Sequence, residues 1–117
     1  MISRSQLEKW SGKIYRALLS QAGTANPTAI VLNNSIGKTG ADIAWARTGV
    51  GVYTATLAAA FTADKTFLRS RLWDPATGKT LTGVRTSANV ITFTNATTAG
   101  VASDVFTNVE VEIIVYP

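Results

Sequence analysis

Side chains able to do acid–base or nucleophilic chemistry are few, because the 117 residues include neither histidine nor cysteine. Those two types supply many of the catalytic groups that react near neutral pH. Among the seven carboxylates, Glu110 and Glu112 share one face if their segment is a strand, a pairing that a glycosidase could use. Their alternation with Val109, Val111 and Ile113 is typical of a strand with one solvent-exposed face. We therefore expect no enzyme.

Four aspartates lie beside turns or strand starts: Asp42, Asp64, Asp74 and Asp104. Carboxylates in such places usually accept hydrogen bonds from nearby backbone amides. Their spacing lacks the clustering of a calcium-binding loop, and the chain has no thiolate or imidazole to hold a transition metal. The sequence predicts no metal site and no cofactor.

The strongest candidate for a binding surface is the stripe formed by Phe67, Arg69, Arg71 and Trp73, which alternate onto one face of a strand. Guanidinium groups beside aromatic rings stack on bases or sugars and anchor protein interfaces. An alternative is that the rings pack at the edge of the fold while the arginine stems cover them. Trp10 lies outside the strand pattern and is a further interface candidate, docked on its own domain or on a neighbouring subunit.

Composition indicates an ordered chain that associates with itself, since 46% of residues are hydrophobic and only 15% are charged. The net charge of +4 comes from basic residues scattered without a run, which argues for a solvated surface rather than a nucleic-acid partner. No apolar run approaches the roughly 20 residues that cross a bilayer, and residues 1–4 lack the apolar stretch of a secretion signal. We expect no membrane partner and synthesis in the cytoplasm.

Short runs rich in Val, Ile, Thr and aromatic residues alternate between Gly, Asn and Pro breaks, which is typical of antiparallel strands. The predicted strands cover residues 13–21, 28–33, 41–48, 50–58, 66–73, 79–86, 89–94 and 106–116. Eight short strands in one domain predict an all-β fold, an antiparallel β-sandwich of jelly-roll-like type or a barrel, and we favour the sandwich.

Three turns organise these strands. Pro75 and Gly78 fit a bulged hairpin turn at residues 74–79, so the strands on either side are predicted to pair directly. Residues 48–51 predict a tight reversal that places Trp45 opposite Tyr53 as a cross-strand pair in the core. Residues 87–89 predict a third reversal.

The N-terminal segment allows two interpretations. Leu7, Trp10, Ile14 and Leu18 recur at helical spacing, so one helix over residues 5–21 is conceivable. We favour a short helix or arm over residues 1–12 that ends at Gly12, followed by a single β-sandwich domain over residues 13–117.

Residues 15–34 read YRALLSQAGTANPTAIVLNN, and residues 45–57 and 61–67 read WARTGVGVYTATL and FTADKTF. The chain here resembles small β-rich structural proteins of bacteriophages and prophages, which share a Y-x-A-L-L-x-Q-x-G-T-x-x-P-x-A-x-V-L-x-N opening followed by a tryptophan strand. The resemblance covers roughly residues 13–67.

The resemblance implies a virion component such as a head decoration, head fibre or tail appendage, and an extended rather than helical opening motif. It also implies a homo-oligomer, expected to be a trimer, that contacts other virion proteins and sometimes a host-surface glycan. The rival expectation is a carbohydrate- or nucleic-acid-binding module that uses the Arg69, Arg71 and Trp73 stripe.

Overall fold

The computed structural model describes residues 12–36, 42–70, 79–97 and 99–117, and these residues form an all-β fold. Eight strands follow one another along the chain: β1 Lys13–Gln21, β2 Thr28–Asn34, β3 Ala44–Gly49, β4 Val52–Thr56, β5 Thr66–Ser70, β6 Thr80–Arg85, β7 Val90–Ala96 and β8 Phe106–Val115. The first and last residues of each strand agree with those of a predicted strand to within three residues. The end of β5 cannot be compared in this way, because residues 71–73 of the predicted strand lie outside the described residues. Within the described residues no helix has the length and apolar character needed to span a bilayer.

The strands form two antiparallel sheets of four. Sheet 1 has the order β2-β1-β8-β5, and sheet 2 has the order β3-β4-β7-β6. In each sheet the two central strands are distant in the chain, since β1 pairs with β8 and β4 pairs with β7. The predicted antiparallel β-sandwich is confirmed.

The core lies between the sheets and takes alternate residues from each strand, as the period of two requires. From sheet 1, β1 and β8 turn inward Tyr15, Ala17, Leu19, Val109, Val111, Ile113 and Val115. From sheet 2, the buried apolar side chains are Tyr53, Ala55, Leu81, Ile91 and Phe93. Each fully buried large apolar side chain stabilises the fold by roughly 1.5–3 kcal/mol.

Buried Gln21 ends β1 and ties two parts of the chain together. Its amide nitrogen donates to the carbonyls of Gly23 and Ala25 at 2.9 and 3.0 Å, which closes the turn into β2. Its amide oxygen accepts from the backbone nitrogen of Val105 at 2.7 Å, just before β8. A buried side-chain amide whose nitrogen donates and whose oxygen accepts in this way holds the neighbouring loops in one arrangement.

The parts of the two strands that the structure describes do not pair with each other as predicted, because β5 belongs to sheet 1 and β6 to sheet 2. β5 pairs with β8, and β6 pairs with β7. The rest of the predicted pairing, at residues 71–73, lies outside the described residues. Between the two sheets, the Ser70 hydroxyl donates to the carbonyl of Leu81. Leu68 of β5 then packs across the core towards Gly83 of β6. Turn residues such as Pro75 and Gly78 predict that the chain reverses direction, but they do not predict which sheet the next strand joins.

The reversal at residues 48–51 is confirmed, but the pairing of Trp45 with Tyr53 is wrong. Trp45 lies opposite Ala55, and Tyr53 lies opposite Arg47. In this register Tyr53 lies two positions away from the residue opposite Trp45, so each ring finds partners in other strands. Trp45 lies 5.4 Å from the Phe93 ring centroid, and Tyr53 lies 5.3 Å from that of Phe106. The reversal at residues 87–89 is confirmed by the pairing of β6 with β7.

At the N-terminus, Lys13–Gln21 is a strand, which confirms the extended interpretation and excludes one helix over residues 5–21. Trp10 and the rest of the predicted arm before Gly12 lie outside the described residues. So do Arg71, Trp73 and residues 74–78 of the predicted turn.

Gly51 closes the β3–β4 turn at a φ of +65°, a conformation that L side chains rarely adopt. A Cβ at this position would lie 2.6 Å from the carbonyl oxygen of Asn95 and 2.7 Å from the backbone nitrogen of Ser103. Both neighbours are backbone atoms, so they cannot swing aside. The loop that precedes β8 therefore rests directly on the β3–β4 turn.

We predict that Gly51→Ala destabilises the fold more than Gly23→Ala does. Gly23 also has a positive φ, +56°, but no atom would lie within 4 Å of a Cβ added there. Gly23→Ala should therefore lose only the stability that the strained backbone conformation costs, about 1–2 kcal/mol. The collision at Gly51 should add about 1–3 kcal/mol. Urea unfolding of both variants measures the difference, and equal losses of stability would show that the close approach at Gly51 is unimportant.

Candidate functional site

The surface of sheet 1 that faces away from sheet 2 is the candidate site, and we call it the outer face. It is formed by the alternate residues of β1, β8 and β5 that do not enter the core: Ile14, Arg16, Leu18, Glu110, Glu112, Ile114, Phe67 and Arg69. An antiparallel sheet with one solvated face usually alternates apolar with polar residues. Four of these eight residues are apolar, although the outward residues Ser20 and Asn108 at the end of the face are polar.

The first row across the outer face is apolar. Ile14, Ile114 and Phe67 lie opposite one another on β1, β8 and β5. The Phe67 ring also meets the ring of Tyr116 edge to face, with centroids 5.2 Å apart. Phe67 remains 56% exposed and Tyr116 45% exposed, so a large part of both rings is available to a partner.

The second row is charged and lies beside the first. Glu112 occupies its centre, with Arg16 opposite on β1 and Arg69 opposite on β5. The Arg16 Nε donates to Glu112 Oε2 at 2.5 Å, and the Arg16 side chain is about half exposed. Because an ion pair with one half-exposed partner adds little stability, the row contributes little to holding the fold.

A groove of about 420 Å³ lies at this row. Its lining combines the charged residues Arg16, Arg69, Glu110 and Glu112 with the apolar residues Leu18 and Leu32. Charged groups that border an apolar strip form the arrangement found at protein interfaces, where a buried centre is surrounded by a polar rim.

Two of the five interface candidates from the sequence, Phe67 and Arg69, lie on the outer face and are exposed. Their inward neighbours Thr66, Leu68 and Ser70 are only half-buried, and Leu68 packs against the core. Arg71, Trp73 and Trp10 lie outside the described residues. The sequence pattern therefore placed Phe67 and Arg69 on the exposed side of their strand.

The sequence analysis did not assign the outward residues of β1 to a binding surface, although the alternation pattern that places them there was present. Ile14, Arg16 and Leu18 alternate with the buried residues of β1, so their outward direction follows from the period of two. What the sequence did not show is that β8 lies between β1 and β5, which is a contact between distant segments. Glu110 and Glu112 occupy the solvent-exposed face of β8, as predicted.

A second polar cluster surrounds Asp104 at one end of the sandwich. The Arg47 guanidinium donates to both carboxylate oxygens, with Nη2 2.8 Å from Oδ2 and Nε 3.2 Å from Oδ1. The backbone nitrogen of Gly51 and the hydroxyl of Tyr53 donate to Oδ1 at 3.0 and 2.6 Å. Asp104 was expected to bond nearby amides, as Asp42 does with Ile43 at 2.7 Å, but its partners lie more than 50 positions away.

The electrostatics of this cluster favour a structural role. Hydrogen bonding from Arg47 holds the pKa of Asp104 well below its usual range, against the opposing effect of burial, and Tyr53 and Gly51 lower it further. Burial, and next the hydrogen bond to the Asp104 carboxylate, raise the pKa of Tyr53. Since one group stays ionised and the other stays protonated near pH 7, neither is suited to proton transfer there. The cluster instead fixes the loop before β8 onto the β3–β4 turn.

In the described part of the chain, no three His, Cys, Asp or Glu side chains come together as a metal site would require. The chain was also compared with protein-family models, with curated proteins and with solved structures, and none of the three comparisons found a match.

We predict that Asp104→Asn lowers the free energy of unfolding at pH 7 and makes stability less dependent on acid. Because the folded-state pKa of Asp104 is depressed, its contribution is present above the unfolded-state pKa of about 4 and is lost as pH falls below that value. Urea unfolding between pH 7 and pH 2 should show the two proteins converging at the acid end. The exposed Asp64, whose φ of +61° asparagine tolerates, provides the control Asp64→Asn, expected to stay close to wild type at pH 7. A constant difference across the pH range would contradict the linkage.

Proposed function

We propose that this protein is a non-enzymatic structural protein of a bacteriophage virion. It assembles as a homo-oligomer, a trimer, on the capsid or tail after synthesis in the host cytoplasm, and it contacts other virion proteins there. The observation that carries the proposal is the outer face of sheet 1, with its exposed Phe67 and Tyr116 beside the charged row. Exposed apolar patches with polar borders mark protein-interaction surfaces.

The assembly part of the proposal is supported by the chemistry of the face. Aromatic residues and arginine are enriched at protein interfaces, and Phe67, Tyr116, Arg16 and Arg69 supply both types. The rigid, packed sheet beneath them holds these groups in place before binding, which lowers the entropy cost of association.

The virion part is supported by the resemblance over residues 13–67. The residues of the opening motif serve the fold here: Gln21 holds the turn into β2, and Gly23 takes the positive φ that the turn needs. Three-fold symmetry is common in phage appendages of this resemblance, and in a three-fold ring each subunit contributes two different patches.

A second candidate function is carbohydrate or nucleic-acid binding at the groove beside Arg16 and Arg69. Guanidinium groups next to apolar surface can stack on sugars or bases. The two functions differ in what the face contacts, because a binding module keeps its groove open whereas a self-assembling subunit covers it.

We predict that Phe67→Ser combined with Tyr116→Ser shifts the wild-type oligomer towards smaller species. Both rings are exposed, so their loss should leave the fold stable while it removes contact area from the interface; truncating a buried interface anchor typically costs about 2 kcal/mol or more of binding. Light scattering across a dilution series measures the mass. Val101→Ser, at an exposed valine outside sheet 1, is the matched control and should retain the wild-type mass.

Two results would overturn the assembly part of the proposal. A wild-type protein that is monomeric at every concentration cannot use the face for self-assembly. A double variant that keeps its mass but loses affinity for a glycan or oligonucleotide array would favour the second candidate. For the virion part, mass spectrometry of particles purified from the encoding phage should find the chain in stoichiometric amount, and its absence there would show that it is not a virion component.

A further inference from the structure

Strand β2 forms one edge of sheet 1 and is exposed on both of its faces. Ile30 and Leu32 are 58% and 63% exposed, and Val31, which points the opposite way from Ile30, is 38% exposed. Its only strand partner in the described part of the chain is β1, so no other described strand pairs with its outer edge over residues 28–33. An exposed apolar edge of this kind is a template for pairing with another strand.

The edge also lacks the charges that normally prevent such pairing. Natural edge strands carry charged residues, prolines or bulges that block the approach of another strand. Among the edge strands that the structure describes, β3, β5 and β6 carry Arg47, Arg69 and Arg85, whereas β2, with the sequence TAIVLNN, carries no charge. Its one irregularity is a register shift opposite Arg16 and Ala17, and residues 28–31 pair regularly.

We infer that β2 pairs edge to edge with β2 of a second copy of this chain, antiparallel about a two-fold axis perpendicular to the sheet. The occupant must offer an uncharged edge with apolar side chains on both faces, since a charge placed against Ile30, Val31 or Leu32 would lose its water without gaining a partner. Of the edge strands described, β2 alone has that character, and an antiparallel contact of a strand with itself closes as a symmetric pair.

This contact joins the two copies of sheet 1 into one continuous sheet of eight strands. The outer faces of both copies then lie on the same side, because the axis is perpendicular to the sheet. The contact is separate from the one proposed for the outer face and can form whether or not that proposal holds. If both contacts form and the two-fold axes cross the three-fold axis at right angles, two trimers join into a closed assembly of six chains.

Single cysteines test the pairing directly, since the chain has none of its own. A two-fold axis through an antiparallel strand pair places one residue opposite its own copy, with Cα atoms about 4.5–5.5 Å apart, within the range that a disulfide bridges. Under mild oxidation, at least one of the variants Ala29→Cys, Ile30→Cys, Val31→Cys and Leu32→Cys should form a covalent dimer more than tenfold faster than Val84→Cys. Val84 is an exposed valine on β6, an edge strand of sheet 2. Rates no higher than that of Val84→Cys at all four positions would overturn the inference.

A charge substitution provides the second measurement. Val31→Lys should halve the mass of the wild-type assembly, whereas Val84→Lys should leave it unchanged. In wild type, amide hydrogen exchange over residues 28–34 should slow as protein concentration rises, and in Val31→Lys it should stay fast. The Phe67→Ser and Tyr116→Ser variant should retain the cysteine cross-link, which separates failure of the outer-face proposal from failure of this one. Protection of residues 28–34 that appears only when another virion protein is added would overturn the inference of a second copy.

Discussion

The pairing of β1 with β8 joins strands from opposite ends of the described chain, from Lys13 opposite Val115 to Gln21 opposite Phe106. Both strands are central in sheet 1, so β2 and β5 each need one of them as a template. The inward residues of the pair, from Tyr15 to Val115, also form most of the sheet 1 side of the core. Because hydrogen bonding and burial are satisfied by the same register, a slip by one residue would expose the core side chains and bury the charged row.

Two polar anchors fix that register where β1 and β8 begin to pair. Buried Gln21 bonds to the backbone of Val105, and Asp104 receives hydrogen bonds from Arg47, Gly51 and Tyr53 of sheet 2. The loop before β8 is thus held by side chains from both sheets. The anchors lie beside a bulge at which Asn108 takes a positive φ of 51° and the Ser20 hydroxyl accepts from its backbone nitrogen at 3.0 Å. An irregular stretch therefore leads into a long, regular strand.

Sequence patterns predicted what depends on neighbouring residues and failed where distant segments meet. Alternation placed all eight strands, and glycine positions placed the turn at Gly51, because both effects act over a few residues. The pairing of β5 with β8 and the partners of Asp104 depend on which strands come together in space. Nothing local in those segments encodes that choice. For the same reason Phe67, Arg69 and Glu112 were recognised as exposed, while the row that they form together with Arg16 was not.

The pairing of β1 with β8 also has a consequence for how the chain folds as it leaves the ribosome. Gln21 and Phe106 are 85 positions apart. At a translation rate of about 5–20 residues per second, the first strand waits for roughly 4–17 s before its central partner exists. During that time a hairpin of β1 and β2 can form, but its apolar side has no sheet to cover it. The nascent chain must therefore remain soluble with half of its core exposed, and folding must close a long loop before most of the stabilising contacts can form.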